Sequence, residues 1–291
     1  MLYFYIMNQQ EQEQKQEQAQ EQEQIKSLLQ ATTPFFIGRI AGIELQVAYH
    51  LKHGTLTRQH VDELENNAGI HATSNESLKK YVDILVNSYH SCTCIAEWDK
   101  SGKVYEITGR GQELIAKQTP HIPKINALAL EPYYFENSWM EKMSGKRVLI
   151  VHPFVESCKK QLPNLSAIFP IPWFTNCTFE FVKPPITLAG NHNNIDWHEH
   201  YTTCINEIKH IEFDIALVAA GGYGMLLSDF IFTMGKSVIY VGGALQIFFG
   251  IIGKRWFDNK EIMKLVNDEW IRPSAKEKPE NASKVERGCY W

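Results

Sequence analysis

The sequence predicts an α/β fold, a mostly parallel sheet flanked by helices. Three stretches predict it. "GKRVLIVHPF", "EFDIALVAAGG" and "KSVIYVGG" are short β-branched and leucine-rich runs that end in glycine or proline turns. That is the pattern of strands buried on both faces. Helical periodicity fills the sequence between them, and alternating strands and helices imply right-handed parallel crossovers. Residues 143–270 therefore read as a Rossmann-like half.

The elements follow in chain order. "NQQEQEQKQEQAQEQEQ", residues 8–24, has no apolar face and offers no burial against the entropy of ordering. Residues 1–24 are expected to be a disordered low-complexity tail, with the fold starting near Ile25. The N-terminal half, 25–142, reads as a strand at "PFFIGRI" and helices at 44–52, 57–68 and 76–91. A strand at "TCIAEW", a hairpin-like "DKSGK" and a short helix at 111–118 follow. Residues 54–117 also admit a winged-helix-like insertion, with "YEITGRG" in the β-wing. Its helices mix Glu63, Glu65 and Glu76 with Lys79 and Lys80, which leaves no basic recognition face.

In the second half, "CTFEFVKPPITL" is a strand stopped by two prolines. "NNIDWHEHYTTCINEIKHI" is a helix capped by Asn194 or Asp196, and "YGMLLSDFIFTMG" a helix ended by Gly235. "ALQIFFG" is a short helix. Residues 271–291 are a polar tail whose terminal Tyr290 and Trp291 are expected to pack onto the body or onto another subunit, which leaves a homo-oligomer open.

Composition narrows the function. Among 291 residues the formal net charge is −4, which argues against non-specific nucleic-acid binding. Six cysteines are too few for a disulfide scaffold, and Cys92 and Cys94 form a lone C-x-C without a second pair. A reducing, cytoplasmic setting is expected. "MLYFYIM" is too short for a secretory signal, and the longest apolar run, 237–252, falls below the ~18 residues of a membrane span.

Four stretches carry candidate chemistry. In "AAGGYGM", Gly221, Gly222, Tyr223 and Gly224 turn a strand into a helix. Glycines there admit close backbone approach, and a helix start suits phosphate. The spacing is not that of a dinucleotide fingerprint. One strand later, Gly242, Gly243 and Gln246 repeat the turn, with Lys254, Arg255 and Trp256 to follow. Two cations and an indole can hold a diphosphate and stack a base or sugar; alternatively the cations are a solvated pair. His152 ends a strand, as a proton shuttle, a phosphate donor or a structural histidine. Finally, "FFIGRIAGIEL" sets Arg39 and Glu44 into an apolar turn, as ligand groups or as a structural ion pair. In "NHNNIDWHEH" the histidines and acids lack metal-site spacing, since residues two apart on a helix diverge, and no metal ligand is assigned.

The order "GRIAGIE", "GKRVLIVHPF", "DIALVAAGGYGMLLSDFIFTMGKSVIYVGGALQ" and "GKRW" resembles the GT-D type glycosyltransferases and related proteins of surface-polysaccharide biosynthesis, over residues 35–260. The resemblance implies transfer of a sugar from a nucleotide-diphosphate sugar to a glycan or lipid-linked acceptor. It also implies Mn²⁺ or Mg²⁺ at an Arg-x-Gly-Asp-x-Glu motif. Arg39 and Glu44 match the arginine and second acid, whereas Gly42 stands at the first acid. On that resemblance Glu44 and His152 are the catalytic candidates. Arg39, residues 221–224, Gly242, Gly243, Gln246, Lys254 and Arg255 are the donor-binding candidates. A lipid-linked acceptor implies a membrane-peripheral position. The alternatives are a non-catalytic nucleotide- or sugar-binding protein of this fold and a winged-helix regulator.

Overall fold

The computed structural model describes residues 2–291, with side chains defined except at 2–11 and 286. Seven strands form one sheet: β1 Phe36–Arg39, β2 Cys94–Glu97, β3 Lys124–Asn126, β4 Arg147–Val151, β5 Thr178–Val182, β6 Ile215–Val218 and β7 Ser237–Tyr240. Their order is β3-β2-β1-β7-β6-β4-β5, and every pairing is parallel. Because Phe36 of β1 lies opposite Val238 of β7, the two halves read from the sequence share one continuous sheet.

Alternation along the strands builds two apolar layers. Phe36, Leu149, Val151, Ala216, Val218, Val238 and Tyr240 face one side. There they meet α2 (Ile43–Lys52), α3 (Arg58–Glu63), α4 (Asn75–Ser88), α5 (Lys103–Gln118), α8 (Trp197–Ile208) and α9 (Gly224–Thr233). Ile37, Val148, Ile150, Leu217 and Ile239 face the other. That layer is closed by the end of α1 (Leu2–Gln30), by α6 (Val155–Gln161), by the single turn of α7 (Leu165–Ile168), by a 3-10 segment at Gly242–Phe249, and by Trp291. The period of two thus sorts each strand between layers.

Two expectations are corrected. The N-terminal segment is helical rather than a disordered tail, and its last turns are docked. Gln22 is buried: its Nε2 donates to Ala129 O at 2.9 Å, and its Oε1 accepts from the Trp139 N–H at 3.0 Å. Ile25 and Leu29 continue the same stripe into the core. The winged-helix reading fails because "YEITGRG" lies inside α5, not in a β-wing. A Cβ on Gly111 would come within 2.4 Å of Leu45 Cβ, so this glycine lets α5 press against α2 and does not break the helix. The cap of α8 is Asp196, whose carboxylate accepts from the His198 N–H at 3.0 Å; Asn194 lies before it. Gly235 ends α9 with φ +75°, as expected.

Candidate functional site

At the carboxyl end of β1 the chain turns into the layer of α2; at that of β7 it turns into the opposite layer. Open parallel sheets bind ligands in the crevice left by such a divergence. Arg39, the last residue of β1, sits there with 6% of its surface exposed. Its Nη1 donates to Val241 O just past β7, and its Nη2 pairs with Glu131 Oε1 at 2.6 Å. Its guanidinium lies 4.4 Å from the centre of the Trp98 ring. Among the described residues, the buried Arg39 Nε has no hydrogen-bond partner.

Glu131, Tyr133 and Trp98 were missing from the sequence-based set. Glu131 is buried after β3, and its second oxygen accepts from the Tyr133 hydroxyl. Burial, and then the Glu131 carboxylate, push the Tyr133 phenol well above its ordinary range, so it stays a donor. Trp98 follows β2 and is fixed by its own Nε1–H, which donates to Ile40 O at 3.1 Å. Glu44, in the first turn of α2, is buried as well. Its charge is the second cause, after burial, that raises Tyr240, while Arg39 pulls that phenol down, so all three share one electrostatic neighbourhood.

The second glycine turn borders this crevice. Gly242 has φ +71°, and a Cβ there would sit 3.7 Å from Arg39 Nη1. A Cβ on Gly243 would approach the Tyr290 ring at 2.9 Å and Arg255 Nη1 at 3.5 Å. Lys254 and Arg255 are exposed, and Arg255 Nη1 donates to Tyr290 Oη at 2.9 Å. The C-terminal residues therefore fold back onto the body, with the Trp291 Nε1–H donating to Glu277 O at 3.3 Å. Gln246 does not reach the crevice. It is buried, and its Nε2 donates to Ile251 O at 3.0 Å, closing its own 3-10 segment.

The first glycine turn is occupied by the protein itself. A Cβ on Gly222 would meet Ile70 at 2.4 Å and Ala68 O at 2.9 Å; one on Gly224 would strike the Tyr240 ring at 2.2 Å. Gly221, with φ +51°, faces Ala68 O in the same way. Tyr81 Oη donates to Gly222 O at 2.8 Å, and Tyr223 is buried with its hydroxyl 3.3 Å from Gly69 O. A donor cradle at 221–224 is thereby corrected: the close approach is made by residues 68–70 and by Tyr240.

His152 is buried, and its Nδ1 accepts from the Phe154 N–H at 2.9 Å. Desolvation pushes its pKa down to about 3. A proton shuttle at neutral pH needs an accessible imidazolium, which this environment denies. His192 lies apart from His198 in role: with Glu65 and His71 it forms the one group, among the described residues, of three potential metal-ligating side chains close enough to share an ion.

A cleft of about 280 Å³ lined by Thr32, Phe35, Lys146, Asp214 and Lys236 opens at the amino ends of β1, β6 and β7, away from every predicted site residue. No helix among the described residues is long and apolar enough to cross a membrane. Fold and site together define an α/β protein with buried charges, Arg39, Glu44 and Glu131, toward the carboxyl edge of its sheet. No family model, curated protein or solved structure matches the chain.

Proposed function

We propose that the protein is a glycosyltransferase of polysaccharide biosynthesis. It takes a nucleotide-diphosphate sugar in the crevice between β1 and β7 and passes the sugar to a glycan or lipid-linked acceptor. The observation that carries this reading is Arg39. It is locked at the sheet's carboxyl edge by Val241 O, Glu131 and Trp98, beside a glycine turn flanked by exposed Lys254 and Arg255.

Transfer breaks the bond from the anomeric carbon to the phosphate oxygen and makes one to an acceptor oxygen. Negative charge grows on the leaving diphosphate, and Lys254 and Arg255 are the groups that offset it. Glu44 is the carboxylate to take the acceptor's proton. Glu131 holds Arg39 and does not touch the reacting atoms. The donor set at this edge lacks the first acid of the motif that the resemblance implies. Gly42 offers no ligand, and both oxygens of Glu131 are engaged by Arg39 and Tyr133. Mg²⁺ and Mn²⁺ sites use one or two carboxylates with phosphates and water. No step is therefore routed through an ion. A lipid-linked acceptor brings the protein to the cytoplasmic side of a membrane as a peripheral enzyme.

The test is a thermal-shift and calorimetric screen of nucleotide-diphosphate sugars, followed by chromatography of any donor that binds. A donor that binds, that is consumed on addition of acceptor, and that is held at least about tenfold more weakly by Arg255→Ala supports the reading. Binding without consumption of donor would favour the non-catalytic alternative. Absence of binding by all donors would remove both.

A further inference from the structure

We propose that Glu65, His71 and His192 bind one first-row divalent transition ion of the zinc type, with a coordination position left open. The site is separate from the Arg39 crevice and does not depend on the transferase reading.

The ligand atoms come from two stretches of chain, 65–71 and the loop at 192. Glu65 lies in a π-helical turn, Leu64–Ala68, a form that clusters at functional sites. His71 follows the turn's left-handed Gly69, and its backbone oxygen accepts from the Trp197 N–H at 2.8 Å. His192 is carried by a loop with Ala189, Gly190, Asn193 and Asn194 all at positive φ, and it is 8% exposed. One carboxylate serves both rings: Glu65 Oε2 is 2.8 Å from His71 Nδ1, and Oε1 is 3.3 Å from His192 Nε2. The imidazoles stack with centroids 3.7 Å apart.

Two imidazoles and one carboxylate are a ligand set of open zinc sites, in which water or substrate completes the tetrahedron. The donor atoms lie within 4.8 Å of one another. Zinc at about 2.0–2.1 Å from each would draw tetrahedral neighbours to about 3.3 Å. Closing that gap requires the two rings to tilt out of their stack. Coordination also has a proton balance. The Asn194 N–H donates to His192 Nδ1 at 3.0 Å, so the neutral ring carries its proton on Nε2, toward Glu65. To bind the ion through Nε2 the neutral ring changes tautomer: its proton moves to Nδ1, and the Asn194 N–H gives up that acceptor.

The location gives the ion a consequence. Residues 68–70, between Glu65 and His71, cover the glycine turn after β6, and Gly69 O accepts from the Thr187 hydroxyl. An ion shared with His192 ties that cover to the 187–194 loop, while the side chains of Glu65 and His71 keep 25% and 20% exposure for a fourth ligand.

The experiment uses the full chain, stripped with EDTA and dialysed, with no sugar donor present. Zn²⁺ is titrated by calorimetry, and Co²⁺ serves as the spectroscopic probe. One equivalent of Zn²⁺ is expected. Glu65→Gln, His71→Asn and His192→Asn should each weaken binding at least about tenfold. His200→Asn should leave it unchanged, because His200 Nε2 reaches only His192 O, at 3.2 Å. Should a variant fail to fold, the wild-type Co²⁺ form decides: two paramagnetically shifted imidazole N–H resonances are expected. Failure to take up an equivalent, wild-type affinity in the three variants, or a cobalt form without shifted imidazole protons would overturn the site.

Discussion

The two glycine turns look alike in sequence and differ in what lies against them. Both follow a buried strand, β6 or β7, and both open a helical segment. At 221–224 the missing side chains are replaced by Ala68, Ile70 and Tyr240. At 242–243 the neighbours are Arg39, Arg255 and Tyr290, side chains with charge or a hydroxyl. A glycine pair signals that something comes close to the backbone, and the sequence around it does not say what. The first turn is held by packing, the second by charge.

The largest expected effect tests the charged turn. Arg39→Met leaves Glu131 buried without its cation, which costs about 3–5 kcal/mol. The matching change at the exposed pair of Arg147 and Asp214, 2.8 Å apart, should shift the midpoint far less, because water screens that pair. Urea midpoints of the two variants make the contrast. Equal losses would mean that Arg39 is not held by charge.

Packing at the first turn comes next. Gly222→Ala drives a methyl into Ile70 and Ala68 O, and overpacking of this kind costs about 1–3 kcal/mol. A calorimetric melt checks it. An unchanged melting temperature would show that residues 68–70 move aside readily, and the turn would again be open to a ligand.

His152, just past the end of β4, has a pH signature. With a folded pKa of about 3 against 6.5 in the unfolded chain, the unfolded state binds more protons between those values. Stability is then full above pH 6.5 and falls as pH drops below it, by about 1.4 kcal/mol per unit, or about 2 kcal/mol at pH 5. His152→Asn keeps an acceptor for the Phe154 N–H and should flatten that slope. If turnover is found, it should show no titration of this residue near neutrality.

The strands were legible because β-branched runs buried on both faces leave little else to be; so was Gly235, since a helix ending in αL wants glycine. What the sequence hid has physical reasons. Gly111 resembles a helix breaker until Leu45 is known to lie against α5. Gln22 sits in a glutamine repeat, and nothing distinguishes it from its neighbours until Ala129 and Trp139 meet it. Arg39 and Glu44 were visible as charges out of place, but Glu131 is 92 residues from Arg39, and only the parallel sheet brings them together. The Glu65, His71 and His192 group was hidden for the same reason: His192 is far along the chain from the other two, and only the fold brings it to them.

The smallest expected effect sharpens the comparison most. Gly242→Ala has room for its methyl, since the nearest atom, Arg39 Nη1, would be 3.7 Å away. Its cost is conformational: φ +71° is the left-handed region, worth about 1–2 kcal/mol against a side chain. At Gly222 the penalty comes from contact; at Gly242 it comes from the backbone alone. A relaxed Arg39 or a shifted loop offers relief only to the first kind. The stability loss at Gly242 should therefore stay at about 1 kcal/mol. Donor affinity is the second readout. If a diphosphate approaches this turn, the methyl stands in its path, and binding should weaken by more than the stability change. Equal donor affinity in Gly242→Ala and the parent would mean that the turn after β7, like the one after β6, serves the fold and not a ligand.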